Sequence, residues 1–361
     1  MKILPYLFAA SLSVTLWPMM PVSAASQNHA ATTIDWRKDN NLEAAFAEAK
    51  ASNKPLFLYW GAVWCPPCNQ VKATIFNRQE FIDKSRHFIP VYLDGDSPGA
   101  QKYGTQFKVR GYPTMILMKP DGTEITRLPG EVDAGRYLQV LTLALNSSRS
   151  AQDIIKLALA GGKGLKAEDW SLLADYSWDD PQQKLVPVAE LPASLLKLSQ
   201  TAPQADEATR LFIRAMVASA KAKPELKGVD KTQALERIQK TLKDERLCRD
   251  NLDQLTGYTD LLLEYLSPAK SKERKQLSAI WHAALVKLAE DSSLSKTDRV
   301  SALNAQVILV KQDQPQADKA FLSDLQKRIS QIEQATNDAY ERQSVVSSAA
   351  YTLANAGLLN E

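Results

Sequence analysis

The sequence predicts an α/β domain followed by an all-α domain. The apolar run Pro55–Val63 has the length and composition of a buried strand, and the residues after Cys68 can continue as a helix. Strand-like runs alternate with helical stretches and Gly/Pro turns up to residue 150. After it, Leu, Ala, Lys, Gln and Glu dominate, with apolar residues at helical spacing. We therefore expect the α/β domain over residues 26–150 and the all-α domain over residues 151–361.

Two cysteines, Cys65 and Cys68, follow the predicted strand at the point where the helix begins. Unpaired N–H groups and the helix dipole favour negative charge at a helix N-terminus, so a thiol held there loses its proton more easily. At this spacing on a first helical turn the two sulfurs can also approach disulfide distance. We interpret Cys65 and Cys68 as a redox-active disulfide.

The alternatives for this pair are a structural disulfide and half of a zinc site. A structural bridge rarely follows a tryptophan at a strand-to-helix turn. A zinc site would need two further ligands, and the three histidines and one other cysteine of the chain are not spaced as a partner pair. We therefore favour the redox interpretation and expect no metal and no cofactor.

The chain resembles the thioredoxin superfamily in two segments that occur in the family's order. The first is Trp64–Cys68 after the apolar strand, and the second is Phe107–Gly122. In thioredoxins the second segment carries a cis-proline, a strand and a hairpin turn. Pro113 stands at the proline, and Asp121-Gly122 is a hairpin signal in its own right. The resemblance implies a thioredoxin-like domain, with a central mixed sheet flanked by helices.

Two further features refine this resemblance. Trp36 and the pattern Phe76–Phe81 are common among secreted thioredoxin-like proteins. Thioredoxins carry a buried Asp six residues before the first cysteine, and Tyr59 stands at that position here. Because a tyrosine hydroxyl has an ordinary pKa of about 10, it is a poor base at neutral pH. We expect Tyr59 to be a core residue rather than a proton relay.

The resemblance also implies roles for the residues of the site. Cys65 would be the exposed attacking thiol and Cys68 the resolving thiol, and the backbone before Pro113 would hold a client segment by strand-like pairing. Trp64 and Tyr112 are placed either to pack over the site or to form an apolar rim that a substrate touches. The expected catalytic residues are thus Cys65, Cys68 and Pro113, with Trp64 and Tyr112 as substrate-binding residues.

The all-α domain is predicted from apolar periodicity and Gly/Pro breaks, which indicate about nine or ten helices. Short connections favour antiparallel neighbours, and no fixed-period repeat is visible. We expect an irregular helix-pair stack or a compact bundle. Cys248, the third cysteine, lies in this domain, where a lone helical cysteine usually fills apolar space.

The first 25 residues are typical of a secretory signal peptide. Lys2 is followed by the apolar stretch Ile3–Leu16 and by small residues around Ala24 and Ala25, where we expect cleavage. The alternative is an uncleaved anchor, but the apolar stretch is shorter than the ~20 residues that a membrane span needs. We expect a mature protein without stable membrane insertion, exported to the periplasm in a bacterium with two membranes.

Charge and chemistry together indicate an exported thiol–disulfide oxidoreductase acting on protein clients. The net charge of +3 over 361 residues favours neither a nucleic-acid nor a membrane partner. Pro66 and Pro67 lack the N–H groups that would stabilise a Cys65 thiolate, which favours a reductant or isomerase, and such a protein needs an electron donor in the membrane. The alternative is a client-binding scaffold or holdase chaperone that uses the helical domain, with the thioredoxin-like domain as an accessory.

Overall fold

The computed structural model describes residues 33–38, 41–109, 111–128, 134–147, 149–178, 185–222, 229–313, 319–337 and 339–355. The predicted signal peptide, residues 1–25, lies outside the described residues. Among the described residues, no helix has the length and apolar character needed to cross a membrane.

A four-stranded mixed sheet forms the centre of the first domain, as expected. Its strands are β1 (Leu56–Gly61), β2 (Ile89–Asp94), β3 (Thr114–Met118) and β4 (Glu124–Leu128), in the order β2-β1-β3-β4. β1 runs parallel to β2 and antiparallel to β3, and β3 pairs antiparallel with β4. Every residue of β1 is buried, which explains why its sequence is an unbroken apolar run.

Side chains of β1 alternate between two apolar cores, because successive residues of a strand point to opposite faces. Leu58 and Trp60 pack in one core with the helices α1 (Leu42–Ser52) and α4 (Pro98–Gln106). Phe57 and Tyr59 pack in the other core with α2 (Pro66–Val71) and α5 (Ala134–Asn146). A π-helical turn, Lys72–Phe76, continues directly from α2. The remaining helix of this domain is α3 (Gln79–Lys84).

The rest of the described chain is helical. It contains twelve α-helices, more than the nine or ten expected, because single residues at Asp244, Asn251 and Tyr258 separate short helices, and a glycine, Gly257, marks only the last of these breaks. The helices are α6 (Ala151–Leu159), α7 (Ala167–Ala174), α8 (Leu191–Thr201), α9 (Ala205–Lys221), α10 (Lys231–Lys243), α11 (Glu245–Asp250), α12 (Leu252–Gly257), α13 (Thr259–Leu266), α14 (Lys272–Glu290), α15 (Lys296–Asp313), α16 (Lys319–Gln334) and α17 (Ala339–Asn355).

The helical region packs directly on the sheet domain. One continuous apolar core runs from the Phe57 face of β1 into the C-terminal helices, with α6 against β4, α7 against α5 and α17 against α2. Whether a domain boundary falls at residue 150 stays a prediction.

A buried ion network links four segments of the helical packing. Arg210 of α9 is almost fully buried, and its guanidinium lies 2.6 Å from Asp175 and 2.8 Å from Asp253 of α12. Arg136 of α5 reaches the same Asp175 carboxylate at 2.6 Å. Burial alone would raise the pKa of Asp253, but the charge of Arg210 lowers it on balance, so this carboxylate is ionised within the core. The network therefore fixes the last helix of the sheet domain against the C-terminal helices.

Candidate functional site

Cys65 and Cys68 form a disulfide at the start of α2, with an Sγ–Sγ distance of 2.25 Å. Cys65 is the N-cap residue of this helix and has extended backbone angles. Its sulfur accepts a hydrogen bond from the backbone N–H of Cys68 at 3.2 Å. Pro66 and Pro67 occupy the first two helical positions and have no N–H to donate. The Cys68 N–H is therefore the donor through which this helix start would stabilise a Cys65 thiolate.

Both cysteines are buried, which corrects the expectation of an exposed Cys65. Cys65 is 2% exposed and Cys68 0%, and both belong to the larger apolar core. The helix that Cys65 caps, α2, and the π-helical turn that follows it are packed against α17, which lies far along the chain. The residues just before the pair are open to solvent, with Val63 70% and Trp64 63% exposed. Very little of the disulfide is therefore exposed to solvent, and the exposed residues beside it, Val63 and Trp64, are apolar.

The structure brings Trp64 and Tyr112 into contact, and their role as substrate-binding residues stays a prediction. Their rings meet edge to face with centroids 5.6 Å apart, and Tyr112 also stacks on Trp60 at 6.4 Å. The Tyr112–Pro113 peptide bond is cis, as the resemblance implied. Thr114, the next residue, pairs with Trp60 near the end of β1. Pro113 therefore lies beside the end of β1, where the chain leaves the strand and continues to Cys65.

Asp96 joins this site and was missed by the reading of the sequence. Its carboxylate accepts the indole N–H of Trp64 at 2.5 Å and the hydroxyl of Tyr112 at 2.8 Å. The bond from Trp64, and then that from Tyr112, holds the pKa of Asp96 below its usual range. Burial and the Asp96 carboxylate raise the pKa of Tyr112 to about 12. The sequence did contain a signal for Asp96. It follows β2, and because β2 runs parallel to β1, both strands end at the edge of the sheet where Trp64 and Cys65 lie.

Tyr59 is a core residue, as expected. It is 1% exposed and packs against Trp36, Phe76 and Tyr92, and its hydroxyl lies 3.5 Å from the Cys68 carbonyl oxygen. Burial, and then the neighbouring Tyr92, raise the pKa of Tyr59 well above its ordinary value. Its hydroxyl therefore stays protonated at neutral pH and cannot accept a proton from Cys68.

Cys248 lies on α11, is 3% exposed and forms no disulfide. Burial raises the pKa of its thiol to about 12, so the reactive thiolate is scarce at neutral pH. This agrees with a packing role. Among the residues that the structure describes, no three His, Cys, Asp or Glu side chains are grouped as metal ligands would be.

Comparisons with known proteins agree with this geometry. A family model described as a thioredoxin-like domain matches residues 42–145. Over 124 residues the chain is 30% identical to the thiol:disulfide interchange protein DsbD of Pseudomonas fluorescens, covering 33% of this chain and 21% of that protein. Over 94 residues it is 30% identical to a thioredoxin of Mycolicibacterium smegmatis, covering 26% of this chain and 81% of that protein. Over 121 residues it is 26% identical to the disulfide bond reductase DsbH of Chlamydia pneumoniae, covering 29% of this chain and 69% of that protein.

A thioredoxin fold with a paired-cysteine site at the first turn of its active-site helix defines the class of the sheet domain. The chain belongs to the thioredoxin superfamily. It spans only about a fifth of the length of the two DsbD proteins that it matches, with 21% and 18% of them covered.

Proposed function

We propose that the protein is an exported thiol–disulfide oxidoreductase that reduces or isomerises disulfides of protein clients. The observation that carries this proposal is the position of Cys65 as the N-cap of α2, with its sulfur bonded to Cys68 and to the Cys68 N–H. This is a place where a thiolate is stabilised and where a second thiol can resolve an intermediate. Export is supported by residues 1–25 of the sequence and by the DsbD and DsbH relatives.

The reaction begins with the reduced dithiol. The Cys65 thiolate attacks one sulfur of a client disulfide, and the other client sulfur leaves as a thiolate. Cys68, once deprotonated, attacks the Cys65 sulfur of this mixed disulfide and releases the second client thiol. The client gains two electrons and the protein is left with its Cys65–Cys68 disulfide. A donor dithiol must then return two electrons to the protein, and we propose that this donor is a membrane protein.

The direction of electron flow follows from the two prolines after Cys65. Because Pro66 and Pro67 have no N–H, the first turn offers a Cys65 thiolate one backbone donor, the Cys68 N–H that contacts the Cys65 sulfur in the disulfide. A less stabilised thiolate makes the reduced form less stable, hence a better electron donor. We therefore favour a reductant or isomerase. No contact among the described residues favours a client-binding scaffold, and we do not propose one.

Single-turnover reduction of a disulfide-containing protein, followed by alkylation of the thiols formed, tests this function. We expect Cys65→Ser to abolish reduction and Cys68→Ser to accumulate a mixed disulfide with the client. Cys248→Ser, which removes a buried thiol outside the site, is the matched control and should react like the wild type. Undiminished reduction by Cys65→Ser would overturn the proposal.

A further inference from the structure

We propose that a cavity between α14, α15 and α16 binds a small soluble ligand through a phosphate group. The cavity has a volume of about 330 Å³, within the range of about 300–1,000 Å³ that small-molecule sites occupy. Three cationic side chains line it: Lys296, Arg299 and Arg328. Among the described residues of its wall, Glu290 is the only acid. The excess of positive charge indicates an anionic ligand.

Helical periodicity brings these side chains to one space. Arg299 and Leu303 are four residues apart on α15, and Lys296 precedes Arg299 by three. Arg328 and Ile332 are four residues apart on α16. Residues at these spacings lie on one face of a helix, so each helix turns a cationic and an apolar position toward the cavity. Leu303 and Ile332 are buried, whereas the cations are partly exposed, so the apolar groups form the floor and the charges surround the mouth.

Helix capping uses only part of the hydrogen-bonding capacity of two of these cations. Lys296 Nζ donates to the Ala335 carbonyl oxygen at 2.5 Å, at the end of α16. Arg299 Nε donates to the Ala289 carbonyl oxygen at 2.9 Å, in the last turn of α14. An ammonium group has three N–H donors and a guanidinium group has five, so each of these bonds uses one donor of its group. The bonds hold the two side chains at the cavity and leave further donors for the oxygens of an anion.

Arg328 caps no helix end, because it lies more than one turn before the last residue of α16. Its Nη2 lies 3.6 Å from Oε1 of Glu290, too far for a hydrogen bond, and the Glu290 side chain is 64% exposed. An exposed pair of this kind contributes little to stability. The three cations outnumber the Glu290 carboxylate by two, and like charges around one cavity repel each other. An anion with two negative charges would balance them.

A phosphate group fits this arrangement better than a carboxylate does. A phosphate monoester has about two negative charges at neutral pH and three strong acceptor oxygens. A carboxylate has one charge and two oxygens. Cations from two helices can each take a different phosphate oxygen, and the planar guanidinium groups of Arg299 and Arg328 match phosphate oxygens in pairs. The apolar floor receives the uncharged part of the ligand.

Isothermal titration calorimetry of the full chain with pyrophosphate tests the site. Succinate, which has two carboxylates, is the comparison at the same ionic strength. We expect saturable binding of pyrophosphate, and succinate should bind at least about tenfold more weakly. Arg328→Gln should weaken pyrophosphate binding at least about tenfold, the factor that loss of one hydrogen bond to a charged group gives. No saturable binding by the wild type, or equal affinity for the two anions, would overturn the inference.

A second variant keeps the inference falsifiable if Arg328→Gln fails to fold. Gln331→Glu places a negative charge at an exposed position of the α16 wall and should weaken pyrophosphate binding at least about threefold. Arg246→Gln, the matched control, breaks an exposed ion pair outside the cavity and should bind like the wild type. Undiminished binding by a folded cavity variant, or equal weakening in Arg246→Gln, would also overturn the inference. The cavity contains no residue of the disulfide site, so these results leave the proposed function untouched.

Discussion

Restoring one backbone donor at Pro67 should make the disulfide more oxidising. Pro67 occupies the second position of α2, and at a helix start the N–H groups of the second and third positions bond to the N-cap side chain. The third-position donor, Cys68 N–H, already contacts the Cys65 sulfur at 3.2 Å. Pro67→Ala adds the missing second donor at the same sulfur.

The magnitude follows from the worth of one hydrogen bond to a charged group, about 1.5–3 kcal/mol. This bond stabilises the Cys65 thiolate, and hence the reduced form, so the reduction potential should rise. With about 1.4 kcal/mol for each 30 mV of a two-electron couple, the rise is about 30–65 mV. The reduction potential shifts by this full amount at a pH above the pKa of Cys65 in both the wild type and Pro67→Ala. That pKa should itself fall by about one to two units.

Equilibration with a series of glutathione buffers, followed by alkylation of free thiols, measures the potential, and the ultraviolet absorbance of the thiolate gives the pKa of Cys65. Pro66→Ala is the matched control. It also removes a proline from the first turn, but the N–H that it adds lies at the first helical position, from which the N-cap side chain is not reached. Equal shifts in both variants, or none in Pro67→Ala, would refute the hydrogen-bond reasoning.

Three further predictions concern the core and its cover. Tyr59→Phe should release client from the mixed disulfide within about twofold of the wild-type rate at neutral pH, because a buried hydroxyl with a raised pKa does not accept the Cys68 proton. A tenfold slower release would show instead that the Tyr59 hydroxyl takes part in this proton transfer. Ala350→Gly, at an exposed position of α17, should destabilise that helix by about 1 kcal/mol and therefore speed the alkylation of reduced Cys65 about fivefold. The control Ala283→Gly, at an exposed position of α14, should leave the alkylation rate unchanged. Equal rates in the two variants would show that α17 does not shield the site. Arg210→Met should lower the free energy of unfolding by about 3–5 kcal/mol in urea titration, because it removes an ion-pair partner of the buried Asp253 carboxylate and one of the two ion-pair partners of Asp175. Arg246→Met removes an ion pair whose two side chains are both exposed, so it should lower the free energy of unfolding by under about 1 kcal/mol. Similar losses of stability in the two variants would contradict the stabilising role of the buried ion network.

The parts of the fold that were predicted correctly are encoded locally. The apolar run Pro55–Val63 contains β1, and its continuous pattern reflects burial on both faces of the sheet. Asp121-Gly122 forms the turn between β3 and β4, and Gly122 has the positive φ, 86°, that glycine tolerates. The helix break at Asn251 was missed because no Gly or Pro marks it, whereas Gly257 directly precedes the break at Tyr258 and is a signal that the predicted breaks did not include.

The site was predicted only as far as neighbouring residues define it. The pair Cys65 and Cys68 at a helix start is a local pattern, and its position was read correctly. The burial of Cys65 was not, because the packing around this helix start includes α17, almost three hundred residues further along the chain, which no local pattern announces. Asp96 was missed for a related reason, since its contacts with Trp64 and Tyr112 span 32 and 16 residues.

The reduction potential of the native Cys65/Cys68 couple tests the central claim most directly, because the claim is that this helix start stabilises a thiolate only weakly. Equilibration of the full chain with glutathione buffers gives the value. We predict a potential nearer to that of thioredoxin, about −270 mV, than to that of the strong oxidant DsbA. A potential near −120 mV, the value of DsbA, would contradict the account and make the protein a disulfide donor.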